Sequence, residues 1–225
     1  MNVAATLRDS YRVGQAVVRV LGDSTKTHEI HRVEEITGRP RYRRLLTEMK
    51  SSSDGQRLLA ERPELASDRV DYDLLRTLPH DTLGGAYAHH LDANKLSADY
   101  QAAATRHVDD PDIAYLMRRF RQTHDVWHTL LGMGIEGHEE VLIHWFTFGQ
   151  LRLPVSAMIM LFGSMKHIVL ERRWNAIRHS LMEAYRAGRD AAPLMPVIWE
   201  DLWERPLDDV RHAYNVQPLD RSQFD

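Results

Sequence analysis

The sequence predicts an all-α protein, and three observations support that fold class. Apolar residues recur at intervals of three and four along most of the 225 residues, which is the spacing of one helix face. No run of alternating β-branched residues closes on Asn-Gly or Asp-Gly, so the sequence offers no β-hairpin signal. Most prolines fall at the starts or just past the ends of helical segments, where proline is tolerated. We therefore expect one multi-helix domain spanning residues 1–225.

In the first half of the chain, turn-forming residues separate the helical segments. Residues 4–21 are amphipathic and arginine-bearing, and Asp9 and Asp23 favour a structural helix over an acid-poor transit peptide. The polar run at 51–55 is a short turn between two helices. The helices predicted in this half are 4–21, 27–37, 40–50, 54–61, 68–77, 81–92 and 97–105.

Proline and glycine also mark the helix boundaries of the second half. Pro111 stands at the first position of one helix and Pro154 at the first position of another. Three glycines between 132 and 137 suit a tight reversal, and Pro206 breaks the amphipathic C-terminal stretch. The helices predicted in this half are 110–131, 136–151, 154–169, 171–187, 195–204 and 206–214.

Composition excludes several classes of function. The chain has no cysteine, which rules out disulfides, thiolate metal sites and a thiol nucleophile. A formal net charge of −3 gives no electrostatic footprint for nucleic acid, so we expect no nucleic-acid partner. The longest apolar stretch, near 153–165, is too short to span a bilayer and suits a buried helix or a lipid-facing surface. We expect Arg118, Arg119 and Arg121 to be solvated, because they lie mostly off the apolar face of their helix.

The pattern that indicates chemistry lies in segment 110–131. His124 and His128 continue the apolar face of that helix, where a buried polar group without a partner costs about 1–3 kcal/mol. Their spacing of four places both imidazoles on one face, and Asp125 lies within the same arc of about 100°. These three side chains can converge on one metal ion. The simpler interpretation is a pair of hydrogen-bonded core histidines beside a capping aspartate.

A further ligand has to come from outside that helix. The next helix offers several donors, and spacing alone does not choose between Glu136, His138, Glu139, Glu140 and His144. Two imidazoles with one or two carboxylates favour zinc, iron or manganese over calcium or magnesium. The zinc-protease signature fits poorly, because aspartate replaces its glutamate. A His-Asp phosphohydrolase also needs an upstream histidine, for which the chain offers His80, His89, His90 and His107.

The same segment resembles the ubiquinone-biosynthesis family called coenzyme Q biosynthesis protein four. That family's signature is His-Asp-x-x-His, eleven further residues and then Glu, and here it runs from His124 to Glu140 without adjustment. The resemblance extends over about residues 5–216. Besides the signature, it is carried by Glu61-Arg62-Pro63, Leu78-Pro79, Leu83-Gly84, Leu91-Asp92-Ala93-Asn94, Trp203, Pro206-Leu207 and Val210-Arg211.

The resemblance implies a helical fold and a zinc site, with iron or manganese as alternatives. Its ligands would be His124, Asp125, His128 and Glu140. His144 departs from the expected pattern, and three interpretations stay open for it: an additional ligand, a partner of a ligand, or a surface residue, which is the one we favour. The implied reaction removes the ring carboxylate of a polyprenylated hydroxybenzoate precursor of ubiquinone, in some accounts replacing it oxidatively with hydroxyl. The alternative is a lipid-binding scaffold with a structural metal, which organises other ubiquinone-biosynthesis enzymes.

The same resemblance implies where such a protein works. Its substrate, a polyprenylated aromatic quinone precursor, resides in a membrane, so we expect a peripheral protein on the membrane surface. That surface would be the cytoplasmic side of a bacterial inner membrane, or the matrix side of the mitochondrial inner membrane in a eukaryote. A homodimer is compatible with these expectations. No general acid or base is assigned from the sequence, so the catalytic residues beyond the ligands are left open.

Overall fold

The computed structural model describes residues 27–99, 105–171 and 174–219. The predicted helix at 4–21 and most of the one at 97–105 lie outside these residues. The described residues form α-helices, one complete 3₁₀ helix and part of a second 3₁₀ segment at 98–99, without a β-strand, so the all-α prediction is confirmed. The α-helices are α1 (Thr27–Thr37), α2 (Arg39–Lys50), α3 (Ser53–Glu61), α4 (Tyr72–Thr77), α5 (Leu83–Asn94), α6 (Pro111–Leu131), α7 (Gly137–Leu151), α8 (Pro154–Glu171), α9 (Trp174–Asp190) and α10 (Leu207–Ala213); the 3₁₀ helix is Trp199–Leu202.

Two of the predicted segments are shorter than expected. Helix α4 begins at Tyr72 and not at 68, because Asp71 is its N-cap and accepts a hydrogen bond from the Leu74 amide. The segment 195–204 contains only turns and the 3₁₀ helix. Among the described residues, none of the helices combines the length and apolar composition needed to cross a bilayer.

Helix α6 lies at the centre of the core. It begins where the Asp110 side chain caps the amides of Asp112 and Ile113. It ends at Gly132, whose φ of 68° lies in the left-handed region that glycine adopts without a steric penalty. Its apolar residues are almost completely excluded from solvent. This set includes Leu116, Met117, Val126, Trp127, Leu130 and Leu131.

The C-terminal segment, residues 199–219, closes over the end of α6. Arg211 donates through Nε to the Leu130 carbonyl at 2.8 Å, and the Leu219 amide donates to the Leu131 carbonyl at 3.0 Å. Further upstream, the Leu207 amide donates to the carbonyl of Asp81 at 2.7 Å, just before α5. The last carbonyls of a helix have no partner within the helix, so these bonds satisfy groups that would otherwise be unpaired.

Two of the three arginines on α6 are buried, so the expectation of solvated side chains is wrong for them. Arg121 is 3% exposed and contacts two carboxylates of α1, Glu34 through Nε at 2.8 Å and Glu35 at 3.0 Å. Arg119 is fully buried and bidentate to Glu200, at 2.7 Å for both contacts. The error has a simple cause: α1 and the C-terminal segment cover faces of α6 that an isolated helix would expose to water.

Helices α7 and α9 approach each other closely because glycine stands at their contact. A Cβ atom on Gly149 would lie 2.5 Å from the Tyr185 carbonyl oxygen, and one on Gly188 would lie 2.1 Å from that of Phe146. Gln150 joins the same two helices, donating from Nε2 to the Gly188 carbonyl at 2.7 Å. The backbone of α7, which carries part of the site described next, is therefore held firmly against α9.

Candidate metal centre

His124 and His128 face helix α7 from the middle of α6, as their spacing predicts. Their Nε2 atoms lie 3.1 Å apart. Glu140, in the first turn of α7, places one carboxylate oxygen 3.5 Å from Nε2 of His124 and the other 3.6 Å from Nε2 of His128. Two imidazole nitrogens and a carboxylate therefore converge on one point between two adjacent helices.

A backbone hydrogen bond orients the His128 ring. Its Nδ1 lies 2.7 Å from the carbonyl oxygen of Gly134, which can only accept a hydrogen bond. Nδ1 therefore carries the proton, and Nε2 presents its lone pair towards His124 and Glu140. A hydrogen bond of this kind on the distal nitrogen is typical of histidines that bind metals.

The start of α7 separates the roles of two consecutive glutamates. Glu139 is 1% exposed, and its carboxylate accepts hydrogen bonds from the amides of Gly134 and Glu136 at 2.9 and 3.0 Å. Both of its oxygens are thus used to fix the turn and the first residues of the helix. Glu140, one position later, is left free to face α6.

Electrostatics within the cluster couple the three side chains. Burial alone would raise the pKa of the Glu140 carboxyl, but His124 and His128 outweigh it and hold that pKa well below its ordinary value. Burial likewise acts to lower the pKa of His124. The hydrogen bond and the negative charge of Glu140 outweigh burial, so the pKa of His124 is raised above its ordinary value. A negatively charged carboxylate beside two imidazoles is the charge arrangement that a divalent cation needs.

Asp125 lies next to the cluster without joining it. It is 6% exposed, and burial raises the pKa of its carboxyl against the opposing effect of His124 and His128. The group of mutually close ligand atoms consists of His124, His128 and Glu140, all within 4.8 Å of one another. The role of Asp125 as a fourth ligand stays a prediction.

Two further histidines flank the cluster. The ring centroid of His144, on α7, lies 5.7 Å from that of His124, and its Nδ1 is 3.4 Å from the Ser156 hydroxyl. These contacts and the half-buried position of His144 agree with a side chain packed beside the ligands, and not with the favoured interpretation as a surface residue. It follows Glu140 by one helical turn, so it shares the face that Glu140 directs at α6. The ring centroid of His90, on α5, lies 5.5 Å from that of His128.

The sequence marked His90 only as one of four upstream histidines. The other three lie elsewhere. The rings of His80 and His89 pack together with their centroids 5.0 Å apart, and the His107 amide donates to the Glu35 carboxylate. Contact between α5 and α6 brings His90 to the site across 38 residues of chain, and no local pattern reveals such a contact.

The donor set fits a divalent ion. Zinc binds nitrogen and oxygen at about 2.0–2.2 Å, so two tetrahedral ligand atoms are separated by about 3.3–3.5 Å. The three separations in the cluster are 3.1, 3.5 and 3.6 Å. The cluster also reaches the surface, because the side chain of Glu140 is 36% exposed and that of His124 is 14% exposed.

Comparison with known proteins agrees with the resemblance noted from the sequence. The chain matches the family model described as Coenzyme Q (ubiquinone) biosynthesis protein Coq4 over residues 4–220. It is 36% identical over 187 residues to the mitochondrial ubiquinone biosynthesis protein COQ4 homolog of Drosophila ananassae, covering 83% of this chain and 70% of that protein. The corresponding homolog of Drosophila pseudoobscura pseudoobscura is 32% identical over 208 residues, covering 92% and 77%.

A solved structure has the same fold. It is a crystal structure of a candidate ubiquinone biosynthesis protein from Nostoc punctiforme PCC 73102, with a TM-score of 0.72 at 23% identity. The match covers 91% of this chain and 97% of that one, and at this identity it supports the fold alone. The family model and the two fly relatives each match most of the chain. This protein therefore belongs to the Coq4 family of coenzyme Q (ubiquinone) biosynthesis proteins.

Proposed function

We propose that this protein removes the ring carboxylate of a polyprenylated hydroxybenzoate during ubiquinone biosynthesis, with a divalent metal held by His124, His128 and Glu140. One observation carries the proposal: these three donors converge at separations that fit a metal ion. The protein also has an apolar groove, whose lining includes Trp145 on the helix that bears Glu140. The groove suits the prenyl tail and the cluster suits the polar head group. Zinc is the metal we favour, with iron or manganese as alternatives.

These three protein ligands, without Asp125, would leave a coordination position open, which is typical of a catalytic rather than a structural site. When bound, a divalent ion supplies Lewis acidity towards an oxygen of the aromatic ring. In the reaction the bond between the ring carbon and the carboxylate breaks, carbon dioxide leaves, and the electron pair stays on the ring carbon, which then takes up a proton. Replacement of the carboxylate by hydroxyl needs an added oxidant and is outside this proposal.

Residues around the cluster would control its protonation and solvation. Burial, followed by the charge of His124, lowers the pKa of His144 to about 3, so this ring is neutral at physiological pH. A neutral imidazole can donate or accept one hydrogen bond, and it adds no positive charge that would repel a metal ion. Neighbouring Ser156 is fully buried, and it can fix the orientation of that ring.

The groove shares helix α7 with the cluster, although its lining contains none of the three ligand candidates. Trp145 follows His144 directly on α7, and its Nε1 donates to the Ser164 hydroxyl of α8 at 3.2 Å. The groove has a volume of about 1070 Å³, at the upper end of the range for small-molecule sites. Its walls come from α7, α8, α9 and the C-terminal segment. The apolar members of that lining are Trp145, Ala157, Met160, Leu161, Leu181, Met182, Ala187, Pro218 and Leu219.

The rim of the groove would contact a membrane. Leu161 is 57% exposed and Met182 is 42% exposed, and both line the groove. Burial of a hydrocarbon chain gains about 0.8 kcal/mol per methylene, so a prenyl tail binds strongly to such a surface. Peripheral attachment would let the protein draw its substrate from the bilayer through this opening.

The second candidate is a scaffold that binds lipid without catalysis and organises other ubiquinone-biosynthesis enzymes. The exposed apolar rim favours it, since a lipid-binding surface does not require chemistry. The two candidates differ in what they require of Glu140. The catalytic function needs its charge to hold and tune the metal, whereas the scaffold needs only a folded protein with an intact groove.

Replacement of Glu140 by glutamine separates the candidates. The change keeps the size of the side chain and removes its charge, and Glu204→Gln makes the same change at an exposed position. In cells that depend on this protein, we expect Glu140→Gln to accumulate a prenylated precursor that still carries its carboxylate, and Glu204→Gln to make quinone normally. Mass spectrometry of lipid extracts measures both. Normal quinone with a folded, metal-free Glu140→Gln protein would reject catalysis and support the scaffold.

A further inference from the structure

His90 is a buried polar residue beside the metal centre with an unsatisfied ring nitrogen. It is 9% exposed, and its ring centroid lies 5.5 Å from that of His128. Its Nε2 atom is inaccessible to solvent and has no hydrogen-bond partner in the structure. Buried polar groups are almost always hydrogen-bonded, so this nitrogen requires an explanation.

The contacts of the other ring nitrogen define which hydrogen-bonding role Nε2 has. The side-chain amide of Asn94 donates from Nδ2 to the His90 carbonyl at 2.8 Å, and the same nitrogen lies 3.4 Å from Nδ1 of the ring. An amide nitrogen donates only, so Nδ1 is the acceptor and carries no proton. The proton of the neutral ring therefore resides on Nε2. Burial, followed by the charge of His128, lowers the pKa of His90 to about 4, in agreement with a neutral ring.

The neighbours of His90 indicate what this donor is for. The His90 ring packs against that of His128, and the charges of His128, Glu140 and His124 act on its pKa. A bound metal occupies the lone pairs of these ligands and adds positive charge, so a ligand entering the site is favoured if it carries an anionic oxygen. A buried N–H group beside such a site is the complement of that oxygen.

We propose that the Nε2–H group of His90 donates a hydrogen bond to an anionic carboxylate oxygen of the aromatic substrate bound at the metal centre. This inference rests on the proposed function and adds a residue that orients the leaving carboxylate. It also explains the unpaired nitrogen: the site keeps an unsatisfied donor in the free protein because the substrate supplies its acceptor.

Binding of a tail-free probe to cobalt-loaded protein tests the proposal without measuring turnover. The visible absorption of Co²⁺ in the cluster reports the binding of 4-hydroxybenzoate, and 4-hydroxybenzamide is the neutral control probe. A hydrogen bond to a charged group is worth about tenfold or more in affinity. We expect His90→Phe to bind cobalt normally but to weaken 4-hydroxybenzoate about tenfold, with no change for the amide. His90→Gln retains an N–H donor and should recover part of the loss.

Each outcome of the titration has a distinct meaning. Equal affinity of wild type and His90→Phe for 4-hydroxybenzoate would overturn the role of His90 and leave the proposed function standing. Failure of the cobalt-loaded wild type to bind any carboxylate would overturn both. An equal loss for the benzoate and the amide would mean that His90 only shapes the pocket, which also contradicts the proposal.

Two measurements on the free protein do not depend on any ligand. Nitrogen chemical shifts of the His90 ring should show a neutral tautomer protonated at Nε2, and a proton on Nδ1 would contradict the argument. Removing an unsatisfied buried donor should also raise the Tm of His90→Phe by about 2–4 °C. A purely structural histidine predicts a fall in Tm, so a variant that is more stable yet binds the carboxylate less well supports the assignment.

Discussion

Without the proposed metal, this protein should be unusually sensitive to acid, because two histidines at the site are held neutral. The pKa of His144 falls to about 3 and that of His90 to about 4, from an ordinary value of 6.5. Since each pKa is depressed in the folded state, protons bind preferentially to the unfolded chain. The stabilising effect of each neutral ring is complete above pH 6.5 and is lost as the pH falls towards the folded-state pKa.

The size of the effect follows from those pKa values. Between pH 7 and pH 5 a histidine with an unfolded pKa of 6.5 and a folded pKa of 4 or below lowers the free energy of unfolding by about 2 kcal/mol. His144 and His90 together therefore lower the free energy of unfolding by about 4 kcal/mol between pH 7 and pH 5. The pKa of His124 is raised, so its contribution has the opposite sign: it is present below the unfolded pKa and lost as the pH rises. A comparison between variants therefore gives a sharper measure than the wild-type curve alone.

Urea unfolding of the chelator-treated protein at pH 7 and pH 5 makes that comparison. We expect His144→Gln to lose about 2 kcal/mol less than wild type over this interval, because the variant no longer contains that titrating ring. His212→Gln removes an exposed histidine and should follow wild type. If His144→Gln and wild type lose the same free energy of unfolding, then His144 is not held neutral, and the electrostatic description of the site is wrong.

Three further predictions concern the metal, the core and the groove. Elemental analysis should find one divalent ion per chain in the wild type, and His128→Ala should lose that ion because the variant lacks a ligand. An intact wild-type protein without metal under replete conditions would contradict the metal site. Arg121→Met should lower the free energy of unfolding by about 3–5 kcal/mol in urea, since it leaves buried carboxylates of α1 without their partner; a change below about 1 kcal/mol would show that the pair is solvated. Leu161→Glu should weaken sedimentation with lipid vesicles while leaving metal content unchanged, because it places a charge on the exposed rim of the groove; unaltered sedimentation would locate the membrane contact elsewhere.

Local periodicity was enough to predict most of the helices and the first half of the site. His124 and His128 interrupt an apolar face at a spacing of four, and such a pattern is visible within a single helix. Glu140 was different, because five donors near the start of the next helix were compatible with the spacing. The choice depends on hydrogen bonds that Glu139 makes across the turn, and only the resemblance to a known family selected Glu140 in advance.

The features that the sequence did not reveal depend on contacts between distant segments. Arg121 is buried because α1, 86 residues earlier in the chain, covers it with Glu35. His90 reaches the site from α5, and the boundary of α4 depends on the cap at Asp71. In each case the deciding partner lies outside the window in which periodicity operates. In a protein with this many packed helices, charged residues off the apolar face of a helix are therefore weak evidence that this face contacts solvent.

The way the C-terminal segment closes over α6 has a consequence for the order in which the protein matures in the cell. Arg211 and Leu219 are synthesised well after the helix that carries His124 and His128, yet both bond to carbonyls at the end of that helix. Until they emerge, that helix end has unpaired carbonyls and an uncovered apolar side. Capture of the proposed metal should therefore wait until residue 219 has emerged from the ribosome, and a nascent chain stalled before residue 207 should bind the ion weakly or not at all.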